Sequence, residues 1–146
     1  MAHMMRYLVL LFIATPAWGD APPACPAAVT RAVATAFPRA TIGACKAERE
    51  RGKELFEVKV TRADGSKVEI DVAPDGAILQ IEEGIAVDAL PAAVKKAFAA
   101  KYPKATADRA EKQTAGKVIR YEIAFQLDKA RKEATFAADG GFIEEE

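Results

Sequence analysis

The chain is short of the residues that usually do chemistry. Asparagine is absent, Ser66 is the only serine, His3 the only histidine and Trp18 the only tryptophan, and all three methionines fall within the first five positions. With no histidine beyond position 3, there is no Ser–His or Cys–His dyad and no imidazole to ligate a metal. Ser66 lies in Asp64-Gly65-Ser66, where a small hydroxyl residue suits a turn better than a nucleophile. Net charge is missing too. The 21 basic residues balance 21 acidic ones, whereas a nucleic-acid binder carries a basic excess. Carboxylates are plentiful but not spaced as ligands. Asp71 and Asp75 before Gly76 lack the alternating ligands and closing Glu of a calcium loop, and Glu144, Glu145 and Glu146 read as a solvated acidic run. The expectation is a protein that is not an enzyme, with no cofactor, no metal and no nucleic-acid partner.

Long apolar runs are also missing. The longest, Tyr7 to Ala14, falls well short of the ~20 residues of a membrane-spanning helix. Arg6 precedes it and Ala17-Trp18-Gly19 follows as a small-x-small site, so residues 1–19 read as a secretory signal peptide. Residues 20–24 then form a short linker. The mature chain is expected to be periplasmic or secreted, with no stable membrane insertion once the signal is removed. Lipid attachment at Cys25 is the competing reading, but Pro22-Pro23-Ala24 lacks the Leu usual three residues before a lipidated Cys.

What the chain does have is a repeat. Cys25 to Thr41, CPAAVTRAVATAFPRAT, returns sixty-five positions later as Leu90 to Thr106, LPAAVKKAFAAKYPKAT. Repeated segments of this kind mark one structural unit used twice. The spacing predicts a helix opening at Pro26 and again at Pro91, with apolar Val29, Val33, Phe37 and Val94, Phe98, Tyr102 on one face. Pro38 and Pro103 stop both helices. Lys95, Lys96 and Lys101 lie on the second helix's wet side.

Strand signals follow each helix. Phe56, Val58 and Val60 alternate with Glu57, Lys59 and Thr61, and Tyr121, Ile123 and Phe125 alternate with Glu122, Ala124 and Gln126. Asp64-Gly65 predicts a hairpin into Val68, Ile70 and Val72. The corresponding Asp128-Lys129-Ala130 has no glycine. Asp75-Gly76 and Asp139-Gly140 turn into short last strands, Ile78 to Ile81 and Phe142 to Glu144. Weaker first strands are expected over 41–48 and 106–113. The fold class is therefore α+β, with two tandem repeats, each a helix packed on a four-stranded antiparallel sheet. The repeats span 25–83 and 90–146, joined by a hinge over 84–89.

Cys25 and Cys45 are the only cysteines, and export puts them in an oxidising compartment. They align with Leu90 and Ala110, so a disulfide is expected where the second copy has an apolar contact. No Cys-x-x-Cys spacing suggests a redox role.

Leu90-Pro91-Ala92-Ala93-Val94, Tyr102-Pro103-Lys104-Ala105, Tyr121-Glu122-Ile123 and Phe136 with Asp139-Gly140 resemble the PepSY-like family, whose fold is related to the β-lactamase inhibitory protein. The resemblance covers about residues 25–146 and is clearest in the second copy. It implies a small exported helix-on-sheet domain used twice. In the inhibitory protein such a tandem grips an enzyme with its concave sheet, but no matching inhibitory residues occur here. The expected function is a non-enzymatic binding module that recognises a periplasmic protein through its sheet face. A small-ligand or cation-binding envelope protein is the alternative. Alternation places Glu57, Lys59, Thr61, Glu69 and Asp71 on the sheet face away from the first helix. Glu122, Ala124, Gln126, Glu133 and Thr135 are expected at the matching positions of the second copy, wet and available to a partner.

Overall fold

The computed structural model describes residues 25–146. The signal peptide and linker expectations lie outside the described residues.

Helix α1 (Ala27–Ala36) is followed by β1 (Thr41–Glu50), β2 (Lys53–Thr61), β3 (Lys67–Val72) and β4 (Ile78–Ile85). A 3-10 turn at Val87–Ala89 leads to α2 (Ala92–Lys101), then β5 (Thr106–Ala115), β6 (Val118–Leu127), β7 (Ala130–Ala137) and β8 (Phe142–Glu145). Pro26 and Pro91 are the N-caps, one position earlier than the first-turn placement expected. Their extended ψ near 145° turns the chain into the helix while each carbonyl accepts the first helical N–H, from Thr30 and Lys95. Both helices end at the aromatic before the second proline, where Phe37 and Tyr102 donate their N–H to Val33 and Phe98.

The eight strands form one antiparallel sheet in chain order, β1 to β8. Four strands follow each helix, as expected, and the two sets are joined edge to edge in a single sheet. Gly84 and Ile85, expected in a hinge, are the last residues of β4 and pair with Glu111 and Ala110 of β5. The sequence signal ended β4 at Ile81 because Glu82-Glu83 breaks the apolar alternation. The pairing across the sheet satisfies that backbone instead.

Both helices lie on one face, over two apolar clusters. Under α1, Val29 and Val33 meet Val58, Val60, Val68 and Ile70. Under α2, Val94, Phe98 and Tyr102 meet Ile123, Phe125 and Phe136. Phe98 packs edge-on against Phe125 at 5.2 Å between ring centres. Each such side chain contributes on the order of 2 kcal/mol by leaving water.

The same local devices occur in both halves. A bulge interrupts β1 between Ile42 and Cys45, and another interrupts β5 between Ala107 and Arg109. The turn glycines Gly76 and Gly140 sit so close under the helices that an added Cβ would meet the carbonyl oxygens of Ala28 and Ala93 at 2.9 and 2.7 Å. Cys25 and Cys45 are disulfide-bonded, with Cα atoms 5.6 Å apart, tying the start of α1 to β1. At the matching place Leu90 and Ala110 are buried in the second cluster. On the helix side Glu83 of β4 pairs with Arg62 after β2 and with Lys112 of β5 (3.6 Å to the latter), so an ion bridge crosses from one half to the other.

Candidate functional site, the polar face of the sheet

Strand alternation sends one set of side chains to the helices and the other to the opposite face. Glu57 stands opposite Asp71, Lys59 opposite Glu69 and Thr61 opposite Lys67. In the second half Glu122 stands opposite Thr135, Ala124 opposite Glu133 and Gln126 opposite Arg131. The residues between them, Val58, Val60, Ile123 and Phe125, are core. All ten positions named from the sequence therefore share the face that no helix covers.

Two of them are not wet. Ala124 is 2% exposed and Thr135 7%. They are small residues among long charged neighbours, and the curvature of the sheet folds those neighbours over them. The curvature can be read from one cleft of about 180 Å³, which is bordered by Glu50 and Arg51 at the β1–β2 turn and by Glu144 and Glu146 at the other end. In a flat sheet of this width, β1 and β8 would stand about 30 Å apart. Here both help to enclose one hollow, so the polar face is concave.

Several further residues belong to this face. Gln80 and Glu82 of β4 and Arg109, Glu111 and Gln113 of β5 fill its middle. Leu55 also points this way, opposite Glu48, and is nearly buried beneath its neighbours. The alternation that identifies them was present but faint, because their partners on the helix side include Glu83, Lys112 and Thr114.

Ion pairs knit the face together. Lys59 bridges Glu69 at 3.1 Å and Glu57 at 3.7 Å. Arg109 reaches Glu133 at 3.3 Å, Glu111 at 3.4 Å and Glu122 at 3.9 Å. Gln80 donates to Glu82 at 2.6 Å, and Gln113 to Glu122 at 3.1 Å.

These cations do not neutralise the acid in the hollow. Burial, reinforced by Glu133, Glu111 and Glu82, pushes the Glu122 carboxyl up to about 7, with Arg109 opposing. Burial, followed by Glu82 and Glu57, pushes Asp71 up to about 6. Glu82 is raised as well, mainly by burial. A concave, acid-rich surface of this kind can hold cationic groups and hydrogen-bond donors. Among the described residues no cluster of His, Cys, Asp and Glu is arranged to hold a metal ion.

No family model matches the chain, and no curated protein does. Solved structures do. A protein from Bacteroides eggerthii provisionally described as periplasmic superposes with a TM-score of 0.70 at 16% identity, over 85% of this chain and 89% of its own. A DUF2874 family protein from Bacteroides uniformis gives 0.68 at 16% identity, covering 83% and 88%. A BLIP-like protein from Bacteroides fragilis gives 0.66 at 22% identity, covering 88% of each chain. At these identities the likeness is one of fold, and the fold of this chain is BLIP-like.

Proposed function

We propose that this protein is an exported, non-catalytic binding module, a tandem of two PepSY-like units, that recognises a periplasmic protein through the concave polar face of its sheet. The observation that carries the reading is that face itself, spread over eight strands, left open by both helices and rich in charge. Charges on such a surface steer encounter and fix register more than they add affinity. The signal-like segment at residues 1–19, the Cys25–Cys45 bond and the B. eggerthii likeness support export. Among the described residues no helix is long and apolar enough to cross a membrane.

The test uses the oxidised protein, immobilised, to capture partners from periplasmic extract. Glu57→Lys with Glu122→Lys should reduce capture at least tenfold while the variant still unfolds cooperatively. Lys95→Glu with Lys96→Glu, on the second helix, should leave capture unchanged. The reverse pattern would move the interface to the helices and sink this reading.

A further inference from the structure

The cleft between the two ends of the sheet has features that the rest of the face lacks. It is small, about 180 Å³, and its lining is almost wholly polar, with Glu122, Glu133, Glu144 and Glu146 set against Arg51 and Arg120. Thr135, 93% buried, forms part of its lining. The Thr135 hydroxyl meets no protein partner among the described residues. It is not sealed away either, since no fully buried polar side-chain atom there lacks a partner. It therefore opens into the cleft. A buried hydroxyl ringed by carboxylates and left unpaired is an acceptor set awaiting a donor.

Resting on the binding reading above, we propose that this cleft receives a cationic side chain, an arginine or lysine, presented on an exposed loop of the partner protein. Charge complementarity is the first argument: the acids outnumber the bases around the hollow, and an N–H-rich cation satisfies several oxygens at once. Fit is the second, because the hollow has room for one long side chain and not for a folded element. The third is that Arg109 already meets Glu122 and Glu133 from the β5 side, an intramolecular example of the same contact. The raised carboxyl of Glu122 agrees with this, since a cation arriving there relieves the crowding of Glu133, Glu111 and Glu82.

The probes are an acetylated, amidated Gly-Arg-Arg-Gly peptide, the same peptide with neutral citrulline in place of arginine, and calcium chloride, titrated at low salt and followed by amide NMR shifts. The arginine peptide should shift amides of Glu122, Thr135 and Glu144, and the citrulline peptide should bind at least tenfold more weakly. Glu122→Gln should weaken the arginine peptide about tenfold. Thr135→Val, which keeps the side-chain volume and tests the site should the first variant misfold, should weaken it several-fold.

Equal binding of the citrulline peptide, or shifts confined to the helices, would overturn the proposal. So would calcium displacing the peptide from the same amides, since the cleft would then be a metal site. If no arginine peptide binds while Glu57→Lys with Glu122→Lys still abolishes protein capture, this inference falls and the sheet-face reading survives. If the peptide binds as stated but capture ignores those reversals, the cleft is a cation site that the captured partner does not use, and the sheet-face reading falls.

Discussion

Glu122 shows how burial and crowding act on a single side chain. Its carboxyl lies in the hollow with Glu133, Glu111 and Glu82 around it, and both burial and like charge favour the protonated form. Asp71 is in the same condition with Glu82 and Glu57. Both folded-state values, about 7 and about 6, lie above the ordinary carboxylate range, so between about pH 4 and 7 the folded state binds more protons than the unfolded chain. Stability from these groups is therefore greatest at the acid end of that window and is lost as pH rises through it. Melting temperature should fall from pH 5 to pH 8 in low salt. Glu122→Gln should remove much of that slope and raise stability at pH 8 by roughly 1–2 kcal/mol. A variant with the wild-type slope would show that Glu122 is not the group responsible. Glu83, held low by Arg62, and Glu145, held low by Lys132 and Tyr102, act in the opposite sense and matter only in more acid solution. The face on which Glu57, Lys59, Glu69 and Asp71 lie was legible from the sequence, because alternation is a property of the strand alone. The burial of Thr135 and Ala124 was not, since it depends on how distant strands curve over them.

Among the elements, one turn departs from the usual chemistry of its type. Asp128-Lys129 joins β6 to β7 as a two-residue hairpin, with φ of 49° and 66° at non-glycine residues. Such turns prefer Asn-Gly; the turn's place follows from its correspondence with Asp64-Gly65, but Ala130, expected in the turn, already pairs with Leu127 in the strand. Asp128→Asn with Lys129→Gly should stabilise the fold by about 1 kcal/mol, read as an increase of a few degrees in melting temperature. A loss of stability would mean that Lys129 makes a contact worth more than its backbone strain.

The helices were legible because their prolines and apolar spacing are local, and the second copy repeats the first. The disulfide was legible for a related reason: Cys25 and Cys45 occupy the places of buried Leu90 and Ala110. Replacing the pair by Cys25→Leu with Cys45→Ala should cost on the order of 3 kcal/mol yet leave a single cooperative transition in thermal unfolding. Loss of cooperativity would make the bond a requirement of the first half rather than a staple.

In the whole molecule, the decisive contact is the β4–β5 ladder from Ile81↔Thr114 to Ile85↔Ala110. It merges two helix-covered clusters into one sheet and creates a polar surface that neither half has alone. No local signal announces it, because the paired strands come from different copies and both are weakly apolar. Glu83, shared between Arg62 and Lys112, reinforces the join from the helix side. Under the proposed function, a partner sits on the concave surface made by this join. The most direct test is carboxylate footprinting of the captured complex: label accessible acids with a carbodiimide and an amine, then compare free and bound protein by mass spectrometry. Binding should strongly protect Glu57, Glu69 and Glu133, with Asp88 in the turn before α2 labelled equally in both states. Protection of Asp88 with unchanged labelling of the sheet acids would contradict that placement.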